Sequence, residues 1–137
     1  MTGNDFITLA GWIVASGADA ARCRTAISRA YYGAFHLALD FIEDIGGTVH
    51  RNASAHIQVQ RLLKASGQPP AQEAGALLED LHGDRIKADY RFRNTTVESH
   101  AFAKYRVEMA ARIRSALTVC KKEPIRSAIK AGMQSDR

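Results

Sequence analysis

The sequence predicts an all-α fold, an up-and-down bundle of four to five helices, on three observations. Apolar residues recur with a period close to 3.6 in each long segment, no stretch alternates as a half-buried strand does, and glycine and proline gather at a few breaks between the periodic segments. At 137 residues, 46% of them hydrophobic and 24% charged, the chain has the length and balance of one domain. There is room for a core but not for separate binding and catalytic units, so one site must serve.

Asn4 or Asp5 can cap a first helix running to about Ala15, with Phe6, Leu9, Ile13 and Trp12 on its buried side, and Ser16-Gly17 breaks it. Asp19 opens the dominant helix, which meets no proline before Ile45 and carries apolar residues at 23, 27, 30/31, 34, 38, 41/42 and 45. A second stripe, Tyr32, Phe35 and Leu39, widens its apolar surface beyond what one neighbour covers. Gly46-Gly47 stops it. A third helix is expected from about Ser54 to Ala65 with Ile57, Leu62 and Leu63 inward, then a loop at Gly67-Gln-Pro-Pro70. A fourth runs from Ala71 through Leu77, Leu78 and Leu81 toward Lys87. After a loop from Arg91 to Thr95, Thr95 or Thr96 can cap a last long helix with Phe102, Tyr105, Met109, Ile113, Leu117 and Cys120 at helical spacing. Lys121-Lys122 suit its C-terminal dipole and Pro124 lies just beyond. The bundle is thus expected over residues 1–123, with 124–137 a polar, basic tail holding at most one further helical turn.

Charge is unevenly distributed. Residues 1–84 carry six Lys/Arg against nine Asp/Glu, a balance of −3, whereas residues 85–137 carry thirteen against five, a balance of +8. A concentrated positive field suits a phosphate backbone, although the same cations could solvate the outer face of a last helix. The apolar runs are too short and too interrupted by charge to span a bilayer. With no basic stretch leading into an apolar core at the N-terminus, no signal peptide and a cytoplasmic location are expected, and Cys23 and Cys120 are expected as reduced core residues.

Three phrases stand apart from helix filler: Ser28-Arg-Ala-Tyr-Tyr-Gly-Ala-Phe-His36, Arg85-Ile-Lys-Ala-Asp89-Tyr90, and Arg93-Asn94 with His100, six residues intervening between Arg93 and His100. With the histidine-led third helix at His56 and Leu78-x-x-Leu81 before Arg85, the chain resembles the HEPN superfamily of small prokaryotic helical domains, over nearly its whole length to Leu117. The resemblance implies a bundle that forms a homodimer. In active members it implies a metal-independent endoribonuclease of toxin–antitoxin or phage-defence loci, whose site is an arginine, usually followed by a polar residue, with a histidine four to six residues on.

Arg93, Asn94 and His100 satisfy that pattern, with Arg85, Asp89 and Tyr90 orienting them. In many relatives the phrase resembling Arg85 to Tyr90 occupies the place of the motif, with tyrosine where histidine would stand, so Arg85, Asp89 and Tyr90 are a second candidate site; Arg51 and His56 form a third pair. Arg85 and Asp89 also have the spacing of a plain i,i+4 ion pair, and Tyr31, Tyr32 and Phe35 that of core or dimer-seam residues.

The chemistry explains why so few groups suffice. RNA carries its own nucleophile, so cleavage needs a base for the 2′-hydroxyl proton, a cation for the phosphorane and a proton for the leaving 5′-oxygen, which histidine and arginine supply. His50, His56 and His82 lack a carboxylate or cysteine partner at a ligand spacing, so no metal and no other cofactor is expected. There is no glycine-rich phosphate loop, no Gly-x-Ser-x-Gly and no cysteine with an activating histidine. The expected partners are RNA, a second copy of the chain, and a cognate antitoxin or nucleotidyltransferase; no membrane is involved. The alternative reading is a catalytically degenerate module that binds nucleotide or RNA, or adapts a nucleotidyltransferase.

Overall fold

The computed structural model describes residues 1–17 and 19–135, and among them every regular element is helical. The order is α1 (Gly3–Ala15), α2 (Ala20–Asp44), α3 (Ala55–Ala65), α4 (Pro69–Tyr90), a short 3₁₀ helix (Thr96–Glu98), α5 (His100–Cys120) and α6 (Ile125–Ser135). No helix is long and apolar enough to cross a membrane.

Helix α2 is the axis of the bundle, touching α1, α3, α4, α5 and the 3₁₀ turn. Asp19 caps it by accepting from the Arg22 amide at 2.8 Å, and Gly46, with φ of 92°, ends it. Both stripes of α2 are used within one protomer: Phe35 is 6% exposed and Leu39 2%, and Tyr32 is half-buried. The second stripe of α2 is therefore packed largely against the chain's own helices.

Helix α1 begins earlier than expected, with Thr2 before its first residue donating its amide to the Asp5 carboxylate at 2.7 Å. It buries Gly3, Ile7, Ala10 and Val14 and turns Leu9 and Trp12 outward, because small residues permit the closer face. The crossing with α2 is backbone on backbone: a Cβ on Gly33 would lie 2.5 Å from the Gly3 carbonyl oxygen. Neither backbone can yield cheaply, so Gly33→Ala is expected to cost about 1–3 kcal/mol, read as a lower midpoint in urea.

Three further boundaries depart from the sequence expectation. Pro69 and Pro70 start α4 instead of forming a loop, since the first helical turn needs no amide donor. Ser99, not Thr95 or Thr96, caps α5, accepting from the Phe102 amide, because the 3₁₀ turn uses the two threonines first. Residues 125–135 of the expected tail form α6, whose Ile129 and Met133 enter the core; positions 136 and 137 lie outside the described residues. Its apolar side is only a few residues, too sparse a pattern beside Arg126 and Lys130 to read as buried. Gly132 lets α6 approach the backbone of Ser66, where a Cβ would meet the carbonyl oxygen at 2.2 Å. Ile57 and Tyr105, expected inward, are 58% and 52% exposed, because α3 presents Val59, Leu62 and Leu63 to the core and α5 presents Ala103, Met109, Ala110 and Ile113.

Two cores result. The main one runs through α1 to α6, and a smaller one, Val14, Cys23, Ala26, Ile27, Ala88, Val97 and Ala103, fills the space beneath the α4–α5 connection. Cys23 and Cys120 are free thiols in these cores, and burial pushes Cys120 up to about 11.

Candidate functional site

Helix periodicity sets side chains from α2, α3 and α4 against one another in a patch with a buried floor and a charged rim. Positions 28, 29, 32 and 36 of α2 share one side; 82, 85 and 89 of α4 form a stripe facing it; 56 and 60 of α3 close one end.

The floor is Tyr31, fully buried, whose Oη shares a hydrogen bond with Nδ1 of His56. The His82 ring stacks on Tyr31 at 5.1 Å and on His56 at 4.8 Å, and Phe35 lies 4.5 Å from His56. The buried Gln60 amide nitrogen is 3.3 Å from Nδ1 of His82. Both imidazoles are partly exposed. Burial holds His56 below the ordinary imidazole value, helped by His82, Arg85 and His36; burial and Arg85 do the same to His82. Burial pushes the Tyr31 hydroxyl well up.

The rim is built on Tyr32. Arg85 donates from Nη2 to the Tyr32 hydroxyl at 2.6 Å, and its Nε forms an ion pair with Asp89 at 2.9 Å. Asp89 also accepts from the Ser28 hydroxyl at 3.0 Å. The Arg85 guanidinium lies 5.0 Å from the Tyr32 ring centre and 5.3 Å from that of Tyr90. A second guanidinium, Arg29, lies 4.9 Å from the Tyr32 ring and donates to Ser28 at 3.3 Å. Among the described residues Arg29 has no carboxylate partner. Two guanidiniums thus share one ring while only Arg85 has a carboxylate partner, and the local excess of one positive charge on half-buried groups favours an anion.

Of the residues singled out from sequence, the structure brings Arg85, Asp89 and Tyr90 together. It does not pair Arg93 with His100. The Arg93 side chain is exposed on the α4–α5 connection and makes no hydrogen bond or ion pair among the described residues, while Nε2 of His100 donates to the Val14 carbonyl at 3.1 Å. Asn94 serves structure: its side chain accepts from the Thr96 amide and its carbonyl from Arg24. Arg51 pairs with Glu43 while His56 faces Tyr31, so that pair also looks to separate partners.

The reason is Arg24, which sequence reasoning passed over. Its guanidinium donates to the carbonyls of Lys87, Ala88, Arg91, Phe92 and Asn94 and forms an ion pair with Glu98 at 2.7 Å. One side chain thereby ends α4 and fixes the turn that follows, and the 3₁₀ helix comes between Arg93 and His100. Ser28, Arg29, Tyr32, Gln60 and His82 were also missed as site members; the signal for them was the shared stripe on each helix, and only the register between helices shows that the stripes meet.

Among the described residues no three His, Cys, Asp or Glu side chains are grouped to hold a metal ion. Comparison with family models, with curated proteins and with solved structures finds no match for this chain.

The stacked histidines predict a pH dependence of stability. In the unfolded chain both titrate near about 6.5, and in the fold both lie lower. The unfolded chain therefore binds more protons as pH falls through that value, so the stability that the neutral rings contribute is present above it and lost below it. Urea unfolding from about pH 7 to about pH 5 should show falling stability in the wild type and a flatter profile in His82→Gln. Parallel profiles would contradict the coupling.

Proposed function

We propose that the protein is a metal-independent endoribonuclease, like the active HEPN proteins its sequence resembles, and that it cuts at the Arg85 cluster instead of at Arg93 and His100. The observation that carries this reading is the pair of guanidiniums on Tyr32, only one of them paired with a carboxylate, next to two imidazoles whose protonation burial and charge disfavour.

In this reading the Arg85 and Arg29 forks hold the scissile phosphate and offset the charge that builds on the phosphorane. In the tautomer that donates Nδ1–H to Tyr31, His56 presents an unprotonated Nε2, which takes the proton from the 2′-hydroxyl as its oxygen attacks phosphorus. Gln60 donates to Nδ1 of His82, so His82 keeps its proton on Nε2 and can hydrogen-bond a phosphoryl oxygen. The bond to the 5′-oxygen breaks, that oxygen takes a proton from the exposed His36 or from water, and the products are a 2′,3′-cyclic phosphate and a 5′-hydroxyl. Asp89, tied to Ser28, keeps Arg85 aimed. The proposal includes a two-fold homodimer and a role as the toxin of a two-gene module.

Substitution of deoxyribose at the scissile nucleotide should abolish cutting, because the nucleophile is gone while the backbone charge remains; persistent cutting of that strand would overturn the mechanism. A second reading, a degenerate module that binds RNA or nucleotide, is favoured by one feature: the Arg85 side chain is only 12% exposed and already committed to Tyr32 and Asp89. A salt-sensitive complex with no cleavage would select it.

A further inference from the structure

From the last residue of α4 the chain reads Tyr90-Arg91-Phe92-Arg93, and its two rings are 63% and 77% exposed. Aromatic side chains of this size normally bury most of their surface. The backbone that carries them is nonetheless pinned, since the carbonyls of Arg91, Phe92 and Asn94 accept from Arg24 and Val97 is fully buried just beyond.

Phe92 also forms one wall of an open cleft of about 370 Å³, whose other walls include Arg24, Ser28, Arg29 and Asp89. The cleft therefore reaches from an exposed ring to the unpaired guanidinium of the candidate site. Its two nearby carboxylates are neutralised, Asp89 by Arg85 and Glu98 by Arg24. Arg29, Arg91 and Arg93 have no ion pair among the described residues, so the surface around the cleft is positive.

An exposed ring set among free guanidiniums is the combination that holds an unpaired nucleotide, because the ring needs a bare base face and the cations need phosphates. A duplex offers the phosphates but keeps its base faces stacked. We propose that this cleft holds one unpaired nucleotide, its base on Phe92 and its phosphate on Arg29, with Arg91 and Arg93 engaging flanking phosphates; the substrate is then single-stranded RNA. The inference rests on the ribonuclease reading for its consequence, and it gives Arg93 a role in backbone binding.

The test is fluorescence anisotropy of the full chain with a short 2′-O-methyl RNA, which cannot be cut, as a single strand and as a blunt duplex. The single strand should bind about tenfold or more tighter than the duplex; Phe92→Ala should lose about tenfold or more of that affinity, and Phe92→Trp should keep it. Arg93→Ala should weaken binding to all sequences and lower the salt slope by about one. Phe92 is exposed, and circular dichroism of the variant checks that the fold is retained. Equal affinity for strand and duplex, or a Phe92→Ala variant that binds as wild type does, overturns the platform even if all-ribose RNA is still cut. Selective single-strand binding that Phe92→Ala abolishes, with no cleavage of all-ribose RNA, supports the platform and overturns the ribonuclease reading instead.

Discussion

Arg85→Ala is expected to lower single-turnover RNA cleavage by about 100- to 1000-fold, the usual cost of removing a preorganised donor from a site of developing charge. The effect is large because Arg85 serves four groups together: its fork reaches Tyr32 and Asp89, and its charge disfavours protonation of His56 and His82. Arg85→Lys should recover only part of the rate, since an ammonium cannot span both partners. Arg93→Ala should cost about tenfold at most through weaker backbone binding, and His100→Ala should cost little, because that ring faces Val14. In a bacterial host the wild type should slow growth and Arg85→Ala should relieve it. Relief by Arg93→Ala and His100→Ala alone would return the site to the arginine–histidine pair.

Arg24→Ala is expected to be the most destabilising single change in the connection, at about 2–4 kcal/mol. The side chain is 12% exposed and its loss strands carbonyls at the end of α4 and in the following turn, together with Glu98. Glu98 is 27% exposed and recovers some hydration, which keeps the figure below that of a fully buried pair. Urea unfolding should show a lower midpoint at unchanged slope. A change within about 0.5 kcal/mol, the range of an ordinary surface substitution, would contradict this role.

Helix existence was legible wherever the apolar period was long, as in α2 and α5, and Asp19 and Gly46 mark the two ends of α2 with side-chain and backbone chemistry that needs no tertiary context. Phase was less legible in α1, where the choice between Ile7–Ala10–Val14 and Leu9–Trp12 is decided by how closely Gly3 lets it approach Gly33. Helix α6 was hidden because Ile129 and Met133 gain their burial from α3, α5 and the turn after α2, all distant in sequence or outside the local pattern. At the site, the local ion pair Arg85–Asp89 could be read from spacing alone. That Arg29 and Tyr32 stand opposite it, that His56 and His82 stack, and that Arg24 holds the connection between Arg93 and His100 all depend on contacts spanning α2, α3 and α4, which no local pattern encodes.

The measurement that bears most directly on the ribonuclease reading is the chemistry of the cut ends. Purified wild type, incubated in EDTA with end-labelled RNA, should leave a 2′,3′-cyclic phosphate and a 5′-hydroxyl, and Arg85→Ala should leave the RNA intact over the same time. Products bearing a 3′-hydroxyl and a 5′-phosphate, or cutting that appears only on addition of magnesium, would contradict it.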